Sequence, residues 1–388
     1  EPVTVTELDD GGYVFDLGVL IAGWVELTVD GSAGTEVTLI QGEKLHDDGT
    51  VNNDNQNIPE PMQTDTYVLS GEGTETWEAR FSYKGVRYVQ VEGYPGTPTP
   101  EDLRGKAVHT RIEEDTESTF ACSNELLNRI HENNHRAFLN NMHGVPTDTP
   151  TFEKNGWTGD ALVTAEKGIY NFDMARFWRK WLRDCRDAQA DAPDVVGDEG
   201  SLPVIVPTSD WGYEGWTPDP AWQSAFVLIP WWCYRYYGDE RFLAENYEEM
   251  RLYMEYLGEH ADGGVIRAGL GDWASPGNPG EPPEAPDVVS TCYYYRDAEV
   301  MAEVAEILGN GGDATMYQNL AEEIRAGLNA EYLDEEQGHY RSRQRGGDAW
   351  LDAYRQTDNA MPLAFGMVPD EHEGAVVANL VTDVTETR

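Results

Sequence analysis

The sequence predicts a multidomain protein: an antiparallel β-sandwich over 1–112, then an all-α domain built as a toroid of helical hairpins over 113–388. Three observations predict it. Hydrophobic residues alternate with period two up to about 112, and the spacing then becomes helical. The helices that follow are separated by long loops rich in Gly, Pro, Trp and Asp. A chain of 388 residues, 40% hydrophobic and 11% aromatic, is long enough to bury two such cores.

The strands come first. Segments 13–17, 24–29, 36–41, 64–69, 76–81, 88–92 and 106–110 are short and rich in Val, Tyr, Trp and Thr. Turn signals such as Asp30-Gly31, Asp48-Gly49 and Gly71-Glu72-Gly73 separate them. Seven strands at this spacing suit an antiparallel sandwich. The polar stretch 46–57 reads as a loop; it holds calcium-type ligands, but its glycine is misplaced for an EF-hand.

Beyond the sandwich, Ser123 reads as the N-cap of a helix running to about 142. Further helices are expected over 160–170, 173–190, 222–237, 240–260, 290–308, 314–332 and 352–365, with another starting after Pro369. Loops 191–221 and 261–289 exceed the usual length of connections in compact domains, which marks them as functional candidates. No repeat period of a binding solenoid is visible.

The charge balance is 71 acidic against 27 basic residues, a net −44, and only six of the basic residues are Lys. The acids are spread along the chain, as on a solvated surface. Such a surface repels itself in dilute buffer and is screened in molar salt, so the composition reads as adaptation to high salt. Nucleic acid and anionic membrane are excluded as expected partners, because both require positive potential. No run of 18 apolar residues suggests a membrane-spanning helix, and no signal-like segment opens the chain. Because the chain begins at Glu1 with strand-like sequence, an upstream part is expected to be missing and secretion stays open.

Cys122, Cys185, Cys233 and Cys292 stand far apart and read as buried free thiols. His131 and His135 are four apart but lack the Glu of an HExxH site, so neither metal nor cofactor is expected.

The richest segment is 145–160, Val-Pro-Thr-Asp-Thr-Pro-Thr-Phe-Glu-Lys-Asn-Gly-Trp-Thr-Gly-Asp, between two helices. It sets Asp148, Glu153 and Asp160 around Trp157 and two glycines. Carboxylates bind sugar hydroxyls through charge-assisted hydrogen bonds, and an indole covers the sugar's C–H face. A carboxyl kept protonated by neighbouring anions and an apolar wall can donate to a leaving oxygen. A plainer reading also fits: in so acidic a chain three carboxylates fall together by chance, with Asp148 as a turn residue and Asp160 as a helix cap. Trp211, Tyr213, Trp216 and Asp219, together with Asp210 and Asp272, lie in loops that either line a pocket or pack locally. Trp231 and Trp232 sit in an apolar helix and read as core.

The segment closely resembles the Asp-Cys-Pro-(Gln)-Arg-Glu-x-x-Gly-Trp-Thr-Gly-Asp signature of α-L-rhamnosidases, glycoside hydrolase family 78. The resemblance continues through Tyr-Asn-Phe-Asp at 170–173, Pro-Ala-Trp at 220–222 and Gly-Asp-Trp at 271–273. In the sandwich it includes Gly42-Glu43 and Phe-Ser-Tyr-Lys-Gly-Val-Arg-Tyr-Val at 81–89. It implies an (α/α)6 toroid, incomplete at its C-terminus, and hydrolysis of terminal α-L-rhamnose with inversion. Carried over by position, Glu153 is the general acid, Asp148 and Asp160 bind rhamnose hydroxyls, and Trp157, Trp222 and Trp273 are pocket walls. Thr149 and Phe152 depart from the signature's Cys and Arg. The general base is expected downstream of Arg388, so the 388-residue piece alone is expected to lack full turnover. The implied partner is a rhamnose-containing glycoside. Two alternatives stand beside this: another glycosidase on the same toroid, and a non-catalytic carbohydrate-binding protein.

Overall fold

The computed structural model describes residues 1–54, 62–112, 118–208, 212–213, 215–275 and 280–387. The chain forms two compact units, Glu1–Asn155 and Gly156–Arg388. Of the sequence expectations, Asp210, Trp211 and part of the 46–57 loop lie outside the described residues.

The first unit is built on a seven-stranded antiparallel sheet: β1 (Thr4–Glu7), β2 (Tyr13–Val29), β3 (Glu36–Gly42), β6 (Thr64–Val68), β7 (Glu75–Glu78), β8 (Lys84–Glu92) and β9 (Leu103–Ala107). Two short strands, β4 (Lys44–Leu45) and β5 (Val51–Asn52), form a separate hairpin, the second of them inside the stretch 46–57 read as loop. Its turn is closed by Asp48, which accepts from the Thr50 amide and hydroxyl.

Segments 13–17 and 24–29, expected as two strands, are one strand of 17 residues. The ladder with β8 breaks between Asp16 and Ile21. There Gly18 takes φ 75° and its amide donates to the Asp16 carboxylate at 2.7 Å. This irregularity lets one strand serve two sets of partners. Residues before it pair with β1 and β8, and residues after it pair with β8, β9 and β7. Both halves feed one core, in which Phe15 and Leu17 meet Val25, Leu27, Val29, Val37, Val89 and Leu103. The approach of β9 is close: a Cβ on Gly23 would stand 1.9 Å from the Lys106 carbonyl oxygen. The first unit also contains α1 (Glu125–Leu139), whose N-cap is Asn124 rather than Ser123 because the Asn124 side chain accepts from the Leu126 amide.

The second unit is helical: α2 (Thr158–Asn171), α3 (Ala175–Val195), α4 (Pro220–Gln223), α5 (Ala225–Tyr237), α6 (Arg241–Ala244), α7 (Tyr247–His260), α8 (Asp287–Ile307) and α9 (Gly311–Tyr332), followed by α10 (Gln356–Ala364) and α11 (Asp370–Thr382). The expected helices at 222–237 and 240–260 each begin with a short separate helix, α4 and α6. A two-stranded ribbon, β10 (Leu333–Asp334) with β11 (His339–Tyr340), was not expected. Helix α8 is buried over most of its surface, with Val288, Cys292, Tyr294, Met301 and Val304 all inaccessible, and a stripe through Arg296, Glu299, Glu303 and Glu306 is left toward solvent. Trp231 packs in the core of α5. Cys185, Cys233 and Cys292 are buried, but Cys122 is exposed, because α1 leaves the segment before it uncovered.

Candidate active site

The sequence-derived site residues fall into two groups, one in each unit. In the first unit, residues 148–155 form a closed loop. The Asp148 amide donates to the Asn155 carbonyl at 3.0 Å, and the Asn155 amide donates back to the Asp148 carboxylate at 2.8 Å. Asp148 therefore does serve as a turn residue. It also stands in a hydrogen bond with Glu153, which is exposed. Burial, and secondly that neighbouring carboxyl, push Asp148 up to about 7. Two carboxyls in contact cannot both ionise freely, so the pair retains a proton near neutrality.

In the second unit, the chain after Gly156 is seated like a strand against 204–206. The Val206 amide donates to the Gly156 carbonyl, and the Thr158 amide and hydroxyl both donate to the Val204 carbonyl. Trp157 takes the N-cap position of α2, so Asp160 is not the cap; it stands in the first turn, where a helix dipole favours an anion. Gly159 explains its own place in the motif: a Cβ there would lie 2.6 Å from the Trp222 indole. The flat ring rests on bare backbone.

Asp160, Trp222, Asp272, Trp273, Tyr293 and Thr357 line one cavity of about 350 Å³. Three expected binding residues, Asp160, Trp222 and Trp273, are thus brought together. Trp157 is not in that lining; its ring tilts against Trp216 at 5.1 Å between centroids. Tyr213 is core, its hydroxyl bonded to the Ala188 carbonyl, and Asp219 is fully buried beneath the cavity wall.

Asp219 holds that wall. Its backbone opens α4, which carries Trp222, and its carboxylate accepts from the Leu270 amide at 3.1 Å. From the other side the Arg345 guanidinium donates to the Leu270 carbonyl at 2.6 Å. The backbone of Leu270 is gripped on both sides, at its N–H and at its carbonyl, just before Asp272 and Trp273. Gly269 is required here, since a Cβ would come within 2.7 Å of the Asp219 carboxylate. Burial raises Asp219 to about 7, against the lowering pull of backbone amides and Arg345. Thr357, at the start of α10, donates to Asp272 at 2.7 Å. Sequence reasoning missed Thr357, Tyr293 and Arg345: each enters through helix packing or a distant loop, and none carries a local pattern. Among the described residues no group of three or more His, Cys, Asp or Glu is placed to hold a metal.

Fold and cavity lead to a class. Residues 115–388 match the bacterial alpha-L-rhamnosidase 6 hairpin glycosidase domain, and residues 6–109 match the bacterial alpha-L-rhamnosidase concanavalin-like domain. An alpha-L-rhamnosidase of Streptomyces avermitilis is 35% identical over 97% of this chain and 34% of its own length. The solved alpha-L-rhamnosidase from Dictyoglumus thermophilum superposes with a TM-score of 0.88 at 36% identity, over the whole chain and 41% of that protein. The solved Streptomyces avermitilis alpha-L-rhamnosidase, complexed with L-rhamnose, gives 0.84 at 33% identity, over 100% of this chain and 35% of that one. The chain belongs to the bacterial α-L-rhamnosidase family of glycoside hydrolases. It spans 34–41% of the length of these relatives.

Proposed function

We propose that the full-length protein hydrolyses terminal non-reducing α-L-rhamnose from glycosides with inversion at the anomeric carbon, using a sheet domain over 1–112 and an (α/α)6 catalytic toroid over 113–388 and beyond. Glu153 acts as general acid. Asp148 and Asp160 hold rhamnose hydroxyls, and Trp157, Trp222 and Trp273 wall the sugar. A second carboxylate, expected downstream of Arg388, activates water on the opposite face; in inverting enzymes the two carboxyls stand roughly 6.5–9.5 Å apart. The acidic surface is read as an adaptation to molar salt.

One feature supports the mechanism: the half-buried Asp148 carboxyl lies in a hydrogen bond with Glu153, and burial together with that neighbour pushes it up to about 7. It supplies what an acid catalyst requires, a proton still held near neutral pH beside the exposed Glu153 carboxyl. The choice of L-rhamnose rests on the sequences and structures to which the chain is similar.

The test uses the full-length protein and an aryl α-L-rhamnoside, with proton NMR following the first-formed anomer. Wild type is expected to release the inverted sugar, and Glu153→Gln to lower kcat by roughly 10²–10⁴-fold. A Gln variant with wild-type turnover removes Glu153 from the mechanism. Release of a different sugar from a panel of aryl glycosides removes rhamnose.

A further inference from the structure

The Glu153 segment is fastened to the sheet on both sides of Glu153. Ahead of it, the Thr151 hydroxyl donates to the Glu43 carboxylate at 2.7 Å. These two groups close over Gly85 at the start of β8: a Cβ on Gly85 would stand 2.7 Å from both and 3.1 Å from Pro150. Behind it, the Lys154 ammonium donates to the Tyr83 carbonyl at 2.6 Å and lies 4.4 Å from the centre of the Tyr83 ring. That ring stacks on His143 at 4.1 Å, and its phenol feels both burial and the charge of Asp148.

Two further features mark Lys154. Its φ of 56° is left-handed, a conformation that side-chain-bearing residues rarely adopt and that persists only where surroundings impose it. In a chain with 71 acids it forms no ion pair among the described residues; its charge is spent on a carbonyl and a ring face. An ammonium placed against the Asp148–Glu153 pair would favour the ionised form and expel the proton. The titratable neighbours on the packed elements are Lys84, held by Asp65 at 2.9 Å, and His143, whose imidazole is kept toward the neutral form by burial and the nearby His109.

We propose that Tyr83 and Lys154, with Glu43 and Thr151, are positioning residues for Glu153, so that the sheet forms part of the catalytic apparatus and is not merely appended to it. Lys154 acts through its tether: it fixes the backbone turn that aims Glu153 and keeps a cation off the carboxyl pair. This inference rests on the proposed general-acid role.

The experiment compares full-length wild type, Lys154→Met, Lys154→Arg and Thr151→Val on an aryl α-L-rhamnoside, with kcat, KM and the pH–rate profile measured beside the melting temperature. Lys154→Met is expected to lower kcat by about tenfold to a hundredfold, as misplacement of a reacting group does, with KM little changed and the acid limb displaced. Lys154→Arg restores most of kcat. Thr151→Val, on the other side of Glu153, reproduces the signature where Lys154→Met fails to accumulate. An unmoved pH profile with losses that only follow the melting temperature overturns the proposal. If wild type turns over no rhamnoside, the functional reading fails. Carboxyl ¹³C titration of Asp148 and Glu153 then tests positioning alone: a midpoint shifted in Lys154→Met upholds it and an identical one ends it.

Discussion

Gly159 shows how one missing methyl group shapes a pocket. The Trp222 indole occupies the space where a Cβ would be, at 2.6 Å. Gly159→Ala must therefore push the ring into the cavity that it walls. Overpacking of this kind costs roughly 1–3 kcal/mol, and here it falls on the wall proposed to bind the sugar, so KM is expected to rise about tenfold or more with kcat less affected. Steady-state kinetics on the full-length protein decide it, and an unchanged KM would show that the indole relaxes elsewhere. At this scale the sequence was legible where residues are neighbours in the chain. Asp160, Trp222 and Trp273 were read from local motifs and do line one cavity, whereas Trp157, read with them, lies outside its lining. Thr357 and Arg345 were not legible, because their roles arise only when loops far apart in sequence fold onto the Asp272–Trp273 turn.

Elements were legible by period and less so by continuity. Alternation revealed both halves of β2, but nothing in it said that the halves are one strand. The joint is Gly18 with Asp16, a local hydrogen bond that lets the strand change partners without ending. Leu27, on the second half, is wholly buried among residues from both. Leu27→Ala is expected to destabilise the first unit by about 2–5 kcal/mol, the usual cost of emptying a well-packed core site. Denaturant titration followed by tryptophan fluorescence measures it; a loss below about 1 kcal/mol would mean that the two halves pack into separate cores. Strand ends slipped by a few residues, as at β9, since ends are set by partners across the sheet.

At the scale of the whole chain, charge makes stability depend on pH. Asp148, Asp219 and Asp358 are each raised from an ordinary value of 3.8 to about 7, in every case by burial first. A carboxyl raised in the folded state adds stability that is fully present below its unfolded value and lost as pH climbs through its folded one. Stability is therefore expected to fall between about pH 4 and about pH 7, the reverse of ordinary acid denaturation. Surface repulsion from a net −44 acts in the same direction. Salt separates the two, because exposed charges are screened and buried ones barely are. Melting curves across that pH range should rise overall between about 0.1 M and about 3 M NaCl while keeping their downward slope with pH. A slope that vanishes in salt would assign the effect to the surface alone.

The four cysteines divide unevenly. Three are sealed in the helical core, where burial pushes their thiols up and leaves them inert, while Cys122 lies open ahead of α1. A maleimide dye or spin label thus has a single address in this chain, two residues before the N-cap of the helix that follows the sheet. An optical or paramagnetic ruler can be anchored there without any engineered residue.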